Sequence, residues 1–343
     1  MAETTAIEWC DATFNPWMGC TRVSPACDDC YAARSTPVRA MGIAWGPGAP
    51  RRRTAESTWE APKRWARAAA KAGRRPRVFC ASLADWLDNE VPIEWLVDLL
   101  DLIRCTPELD WLLLSKRIGN WRKRVAEAHS WCASADDSAA FHSWADAWLR
   151  GTPPANVWLG ATVVSQAEAD RDVPKLLAVP ARVRFLSVEP MLGPIVLPPL
   201  RCDHGSLPGP GGVGGVTCPD CNGHGARNAS GCLRLHWVIA GGESGPKARP
   251  SQIAWFRSLM QQCKAAGVAF HMKQLGAQPR GWCAVRVHVS AEENAELEDD
   301  YCDFYEAHEI GGPCPGRCGA LADKKGGDMA EWPEELRVRE FPR

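Results

Sequence analysis

Tyrosine is scarce in this chain, three residues against seventeen tryptophans, and several features that would narrow its function at once are missing. No run of about 18 apolar residues occurs, so no segment reads as a membrane-spanning helix and no membrane partner is expected. The opening residues MAETTAIEWCDA carry Glu3 and Glu8 where a secretory leader needs basic residues and an apolar stretch, which predicts a cytoplasmic protein. Charge is almost balanced, 40 basic against 41 acidic side chains, so the field of the whole molecule selects no nucleic-acid partner. The glycine-rich run GPGGVGG at 209–215 has neither a preceding strand nor a Lys-Ser end, which excludes a phosphate-cradling P-loop. Eight scattered histidines give no nucleophile–base motif of the protease kind, and no solenoid repeat is present.

What is present is strand alternating with helix. Short apolar runs rich in β-formers occur near 12–15, then at 77–85, 111–117, 157–163, 183–189, 236–243 and 269–274. Between them lie helical patterns, of which IEWLVDLLDLIRC at 93–105 and SQIAWFRSLMQQCKAAG at 251–267 repeat apolar residues every three to four positions. Such alternation predicts an α/β fold with a parallel sheet, because parallel neighbours need a crossover long enough to hold a helix. We expect a full or partial (β/α) TIM-like barrel of about six to seven strands over residues 1–282, with insertions at 131–156 and 197–234. A partly acidic C-terminal tail is expected over 283–343. Each strand turns polar at its C-terminal end, at Asp85, Ser115/Lys116/Arg117, Thr162, Glu189, Glu243 and Lys273/Gln274. In a β/α barrel these ends form one rim, where ligand chemistry sits.

Sixteen cysteines in a reducing compartment point to metal ligands and buried thiols rather than disulfides, and many are clustered. Cys20, Cys27 and Cys30 lie within eleven residues just after the first strand. Three thiolates with no nearby fourth suit an iron–sulfur cluster that leaves one iron open. On spacing alone zinc fits equally, with Cys10 or Cys80 as a fourth ligand. A second group, Cys202, His204, Cys218, Cys221 and Cys232, has zinc-ribbon-like spacing in a Gly/Pro-rich segment too poor in apolar residues to fold on a core. Cys302, Cys314 and Cys318 are spaced too loosely to predict a metal.

The runs IEWCDATFNPWMGCTRVSPACDDCYA, VFCASLADWLDNEVP, DWLLLSKR, NVWLGATV, RFLSVEPMLGPI, WVIAGGESGPKARP and FHMKQLG resemble an uncharacterised phage-associated protein family with a three-cysteine motif. That family is itself similar to radical S-adenosylmethionine proteins. The resemblance covers roughly residues 5–280 and implies a [4Fe–4S] cluster on Cys20, Cys27 and Cys30, with S-adenosylmethionine chelated by the free iron. It implies cofactor or substrate contacts at Asp85, Lys116, Glu189, Gly241, Gly242, Glu243 and Lys273, and an electron-donor partner. Two departures stand out. The cysteine spacing is C-x6-C-x2-C rather than C-x3-C-x2-C, and Gly241-Gly242-Glu243 follows about the sixth strand rather than the second.

Residues 51–77 hold ten basic and two acidic side chains with Trp59 and Trp65 among them, a pattern that suits DNA or RNA backbone contact with tryptophan stacking. The sequence thus supports a radical-type iron–sulfur enzyme acting on nucleic acid or nucleotide. The alternative is a non-catalytic, zinc-stabilised nucleic-acid-binding protein on a barrel scaffold.

Overall fold

The computed structural model describes residues 7–132, 139–198, 235–281 and 321–342, together with Thr5 and two short strands at Ser206–Leu207 and Val216–Thr217. Its centre is a seven-stranded sheet of β1 (Ala12–Phe14), β2 (Arg77–Cys80), β3 (Asp110–Ser115), β4 (Val157–Thr162), β5 (Val183–Val188), β6 (Trp237–Gly241) and β7 (Ala269–Gln274). The strands follow one another in chain order, every neighbouring pair is parallel, and the sheet curls into a half-barrel. The edges β1 and β7 do not pair, so of the full and partial barrels expected the partial one is found.

The β7 edge is covered instead by the end of the chain. His271 bridges antiparallel to Arg339, Met272 N donates to Val338 O at 2.8 Å, and Glu340 N donates to Phe270 O at 3.0 Å. An exposed strand edge is a template for unwanted pairing, and this segment occupies it. Trp332 and Leu336 are fully buried, and Trp332 Nε1 donates to Gly326 O at 2.9 Å. Residues 321–342 are therefore part of the domain, where the sequence suggested only a tail.

The helices are α1 (Thr36–Ala40), α2 (Glu56–Ala72), α3 (Ile93–Arg104), α4 (Trp121–Cys132), α5 (Ala139–Leu149), α6 (Gln166–Ala178) and α7 (Ile253–Ala266). Helix α6 begins on Ser165, whose hydroxyl accepts from Glu168 N, while the Glu168 carboxylate accepts from Val164 N, close to a capping box. Helix α5 lies in the expected surface insertion, yet Phe141, Ala145 and Trp148 are buried and Trp148 Nε1 donates to Pro180 O at 2.8 Å. The tryptophans that distinguish the composition thus serve largely as core.

Strand alternation separates two cores. Val78, Trp111, Leu113, Leu159, Leu186, Val238 and Met272 face the helices in the main cluster. Phe79, Leu112, Phe185, Trp237 and Ile239 face the concave side, where Trp9 and Cys10 join them with Leu114, Trp158 and Ala269 packed against the group. This second cluster closes the floor of the half-barrel.

His271 belongs to the same concave layer. It is fully buried, its ring lies 5.8 Å from that of Trp237 and 5.4 Å from that of Phe341, and neither ring nitrogen has a side-chain hydrogen-bond partner. Burial first, then Arg339 and Arg77, pushes its pKa down from 6.5 to about 3. The neutral form is the one the fold accepts, so between pH 6.5 and 3 the unfolded chain binds the extra proton. Stability is full above the unfolded pKa and falls as acid is added, by up to about a few kcal/mol. Urea unfolding at pH 7 and pH 4.5 should show this loss, and His271→Phe should remove part of it; an unchanged pH slope in that variant would count against the assignment.

Candidate active site at the mouth of the half-barrel

Above the apolar floor the concave positions become polar. Continuing the alternation from Leu112 and Leu114 reaches Lys116, from Trp158 reaches Thr162, and from Phe185 reaches Ser187 and Glu189. The same rule carries Ala269 and His271 of β7 to Lys273.

The cysteine loop crosses this mouth. Trp17–Met18 pairs antiparallel with Arg52–Arg53, which starts the loop, and Ser24 caps the turn Pro25–Cys27 by accepting from Ala26 N at 3.1 Å. Cys20, Cys27 and Cys30 are free, half-buried thiols. Among the described residues no three His, Cys, Asp or Glu side chains are grouped around a single ion. Cys10 and Cys80, weighed from sequence as a fourth ligand, are buried in the floor and in the outer core.

Three clamps hold the loop. Arg117 donates to Cys20 Sγ at 3.4 Å and to Thr21 O at 2.6 Å. Arg51 donates to Thr21 Oγ1 at 2.7 Å and is itself held by Asp88 at 2.8 Å. Arg249 reaches Pro25 O at 3.1 Å and Asp28 at 3.3 Å. Burial, and after it Asp85, raises the Cys20 thiol to about 11, with Arg117 opposing the shift. Tyr31 donates to Ser82 O at 2.8 Å, although most of the residue is exposed.

The structure partners most of the rim residues singled out from sequence. Asp85 accepts from Ser115 Oγ, Lys116 N and Leu87 N and pairs with Arg117 at 3.2 Å, so its lone pairs are spent on joining β2 to β3. Glu243 is gripped by Arg249 through Nε at 2.8 Å and Nη2 at 2.7 Å. Glu189 on β5 meets Lys273 on β7 at 2.5 Å, across β6. Gly241 lies beside that pair, and a β-carbon there would stand 3.5 Å from the Glu189 carboxyl carbon, an ordinary van der Waals contact. Gly242 does allow close approach, but to the protein itself: a β-carbon would sit 2.1 Å from Leu275 O. Only Lys116, among these charged groups, has no hydrogen-bond or ion-pair partner for its side chain among the described residues.

Arg51 and Arg249 were not legible as site residues. Their targets lie at long separations, 224 residues for Arg249 and Pro25, and no local pattern announces such a pair. Arg117 was legible only as part of the polar end of β3.

The basic segment 51–77 is reassigned in part. Trp59 is buried and Trp65 packs against the core, so neither is available to stack on a base. Arg53 lies 3.9 Å over the Trp59 ring and pairs with Asp98. What remains exposed is Arg52, Lys63, Arg64, Arg67, Lys71, Arg74 and Arg75, of which Lys63 and Arg75 pair with Glu60 and Asp110. The zinc-type ligands Cys202, His204, Cys218, Cys221 and Cys232 lie outside the described residues. Between His204 and Cys218 the short strands Ser206–Leu207 and Val216–Thr217 pair antiparallel.

No helix among the described residues is long and apolar enough to cross a membrane. No curated protein and no solved structure matches the chain. A family profile described as "Protein of unknown function (DUF5131)" matches residues 4–304, most of the length, and the chain belongs to that family.

Proposed function

We propose that this protein is an iron–sulfur enzyme of the radical S-adenosylmethionine type that modifies or repairs a nucleic acid or nucleotide. One observation carries the reading: three free thiols lie on a single loop that is clamped to the strand ends of a curled parallel half-barrel. The donor set fits the group in its chemistry, being three thiols with no fourth beside them among the described residues and an arginine donating to one sulfur. Cys20, Cys27 and Cys30 would hold a [4Fe–4S] cluster. The chemistry such a cluster supplies when bound is one-electron cleavage of the sulfonium of S-adenosylmethionine.

The chain's own residues have narrower tasks. Arg117, Arg51 and Arg249 fix the loop, and the Trp9, Phe185 and Trp237 floor shuts water out from below. Tyr31, Glu189 and Lys273 line the wall on which a ligand would lie. Exposed Arg64, Arg67 and Lys71 on α2 and Arg74 just past its end offer phosphate contacts to a DNA or RNA strand, and a reducing protein is required as electron donor.

The second reading keeps the nucleic-acid contact and replaces the cluster by structural zinc; the exposed arginines of α2 and the strand pair between His204 and Cys218 favour it. Anaerobic purification separates the two. The enzyme reading expects a brown protein with about four irons and four sulfides per chain, lost in Cys27→Ala. A colourless protein carrying stoichiometric zinc, with salt-sensitive nucleic-acid binding that survives Cys27→Ala, would overturn it.

A further inference from the structure

The charges at the mouth neutralise one another with one exception. Asp85 is met by Arg117, Glu243 by Arg249 and Glu189 by Lys273. The half-buried Lys116 ammonium has no such partner among the described residues, although its backbone is firmly placed: its N donates to Asp85 Oδ2 at 2.9 Å.

Sheet register sets what lies beside it. Ser115 pairs with Ala161, so the next step places Lys116 beside Thr162, and Thr162 pairs with Ser187. All three fall on the concave face, one layer above the floor residues Leu114 and Phe185. Thr162 is 97% buried, since only 3% of it is exposed, and its Oγ1 has no hydrogen-bond partner; Ser187 is also buried. Two hydroxyls and an ammonium in one row supply donors and a positive charge, and Glu189, two residues beyond Ser187 on the same face, is already paired with Lys273. Burying a cation is costly unless an anion accompanies it, and oxygens of a phosphate or carboxylate accept from both group types.

We propose that Lys116, Thr162 and Ser187 form an oxyanion subsite that binds the phosphate or carboxylate of a small ligand lying in the half-barrel. The site is too close to the apolar floor to take the backbone of a long polymer directly, so the acid belongs to a small molecule or to a nucleotide drawn inward. If the acid is the carboxylate of S-adenosylmethionine, the subsite rests on the proposed function. If it is a nucleotide phosphate, it stands without the cluster.

Calorimetric titration of the full-length protein with S-adenosylmethionine, decarboxylated S-adenosylmethionine, adenosine monophosphate and adenosine tests this, with iron content measured on the same samples. Lys116→Met should weaken an acid-bearing ligand about tenfold or more, the worth of a charged hydrogen bond, and leave its acid-free counterpart unchanged. A loss confined to S-adenosylmethionine identifies a carboxylate; a loss confined to the monophosphate identifies a phosphate. Lys116→Arg should retain much of the affinity, and Thr162→Val should weaken the same ligand less. The proposal is overturned if Lys116→Met changes neither acid-bearing ligand, if it weakens acid-free ligands equally, or if the wild-type protein binds none of the four. Absence of iron with intact monophosphate binding would instead sink the enzyme reading and leave the subsite standing.

Discussion

Arg51→Met should lower stability by roughly 3–5 kcal/mol, the usual cost of stripping one partner from a buried ion pair. The Arg51 side chain is fully buried and makes two contacts to Asp88, at 2.8 and 2.9 Å, and one to Glu90 at 3.3 Å. It also donates to Thr21 Oγ1 at 2.7 Å and to Ala49 O at 2.7 Å. Methionine preserves bulk but leaves Asp88, itself only 2% exposed, with a charge that the more distant Arg117 at 3.9 Å balances poorly. Urea unfolding reports the loss as a lower midpoint with an unchanged slope. Because Thr21 adjoins Cys20, thiol alkylation of Cys20 should also accelerate. Adding Asp88→Leu should recover much of the lost stability, since removing both charges avoids the orphaned carboxylate. A loss below about 1 kcal/mol, the range of an exposed pair, would show that the arginine is not buried in solution as described.

Gly242→Ala should be comparably damaging. The new methyl would meet Leu275 O at 2.1 Å, Leu275 C at 2.7 Å and Ser251 Oγ at 2.8 Å, and two of these are backbone atoms that cannot swing away. Overpacking typically costs about 1–3 kcal/mol when side chains can yield, and here the β6–β7 connection itself must open. That connection is stitched by Gly242 N to Gln274 O at 3.0 Å and Gln274 Nε2 to Gly242 O at 2.8 Å. A loss above about 3 kcal/mol, or failure to accumulate folded protein, is expected. Gly241→Ala is the control, since its nearest contacts, Gln274 Cγ, Gln274 O and the Glu189 carboxyl carbon, stand at 3.3 to 3.5 Å, at or just inside ordinary van der Waals distance. If Gly242 served a ligand instead, the alanine variant would keep its melting temperature and lose only binding, which would refute the packing account.

Much of the fold was visible before any coordinates. All seven strands fall where the apolar runs place them, because a strand buried on both faces must be apolar through its length whatever lies beside it. Helices α3 and α7 were equally plain from their three-to-four spacing. The docking of residues 321–342 on β7 was not, because a short edge segment with one buried tryptophan and one buried leucine carries no periodic signal. The burial of Trp59 and Trp65 was missed for a related reason. A tryptophan among arginines reads the same whether its ring faces bases or a core, and only the side of α2 that meets the sheet distinguishes them.

The sequence by itself determined that a cysteine loop follows the first strand, that about six to seven parallel strands alternate with helices, and that polar residues gather at one rim. These follow from chain-local rules, in which spacing sets periodicity and periodicity sets which face is buried. Tertiary structure alone decided which rim charges are spent. Lys273 finds Glu189 at a separation of 84 residues, Arg117 finds Cys20 at 97 and Arg249 finds Pro25 at 224. Ion pairing depends on distance in space, and a curled sheet brings those distances to a few ångströms without leaving any mark on the spacing along the chain.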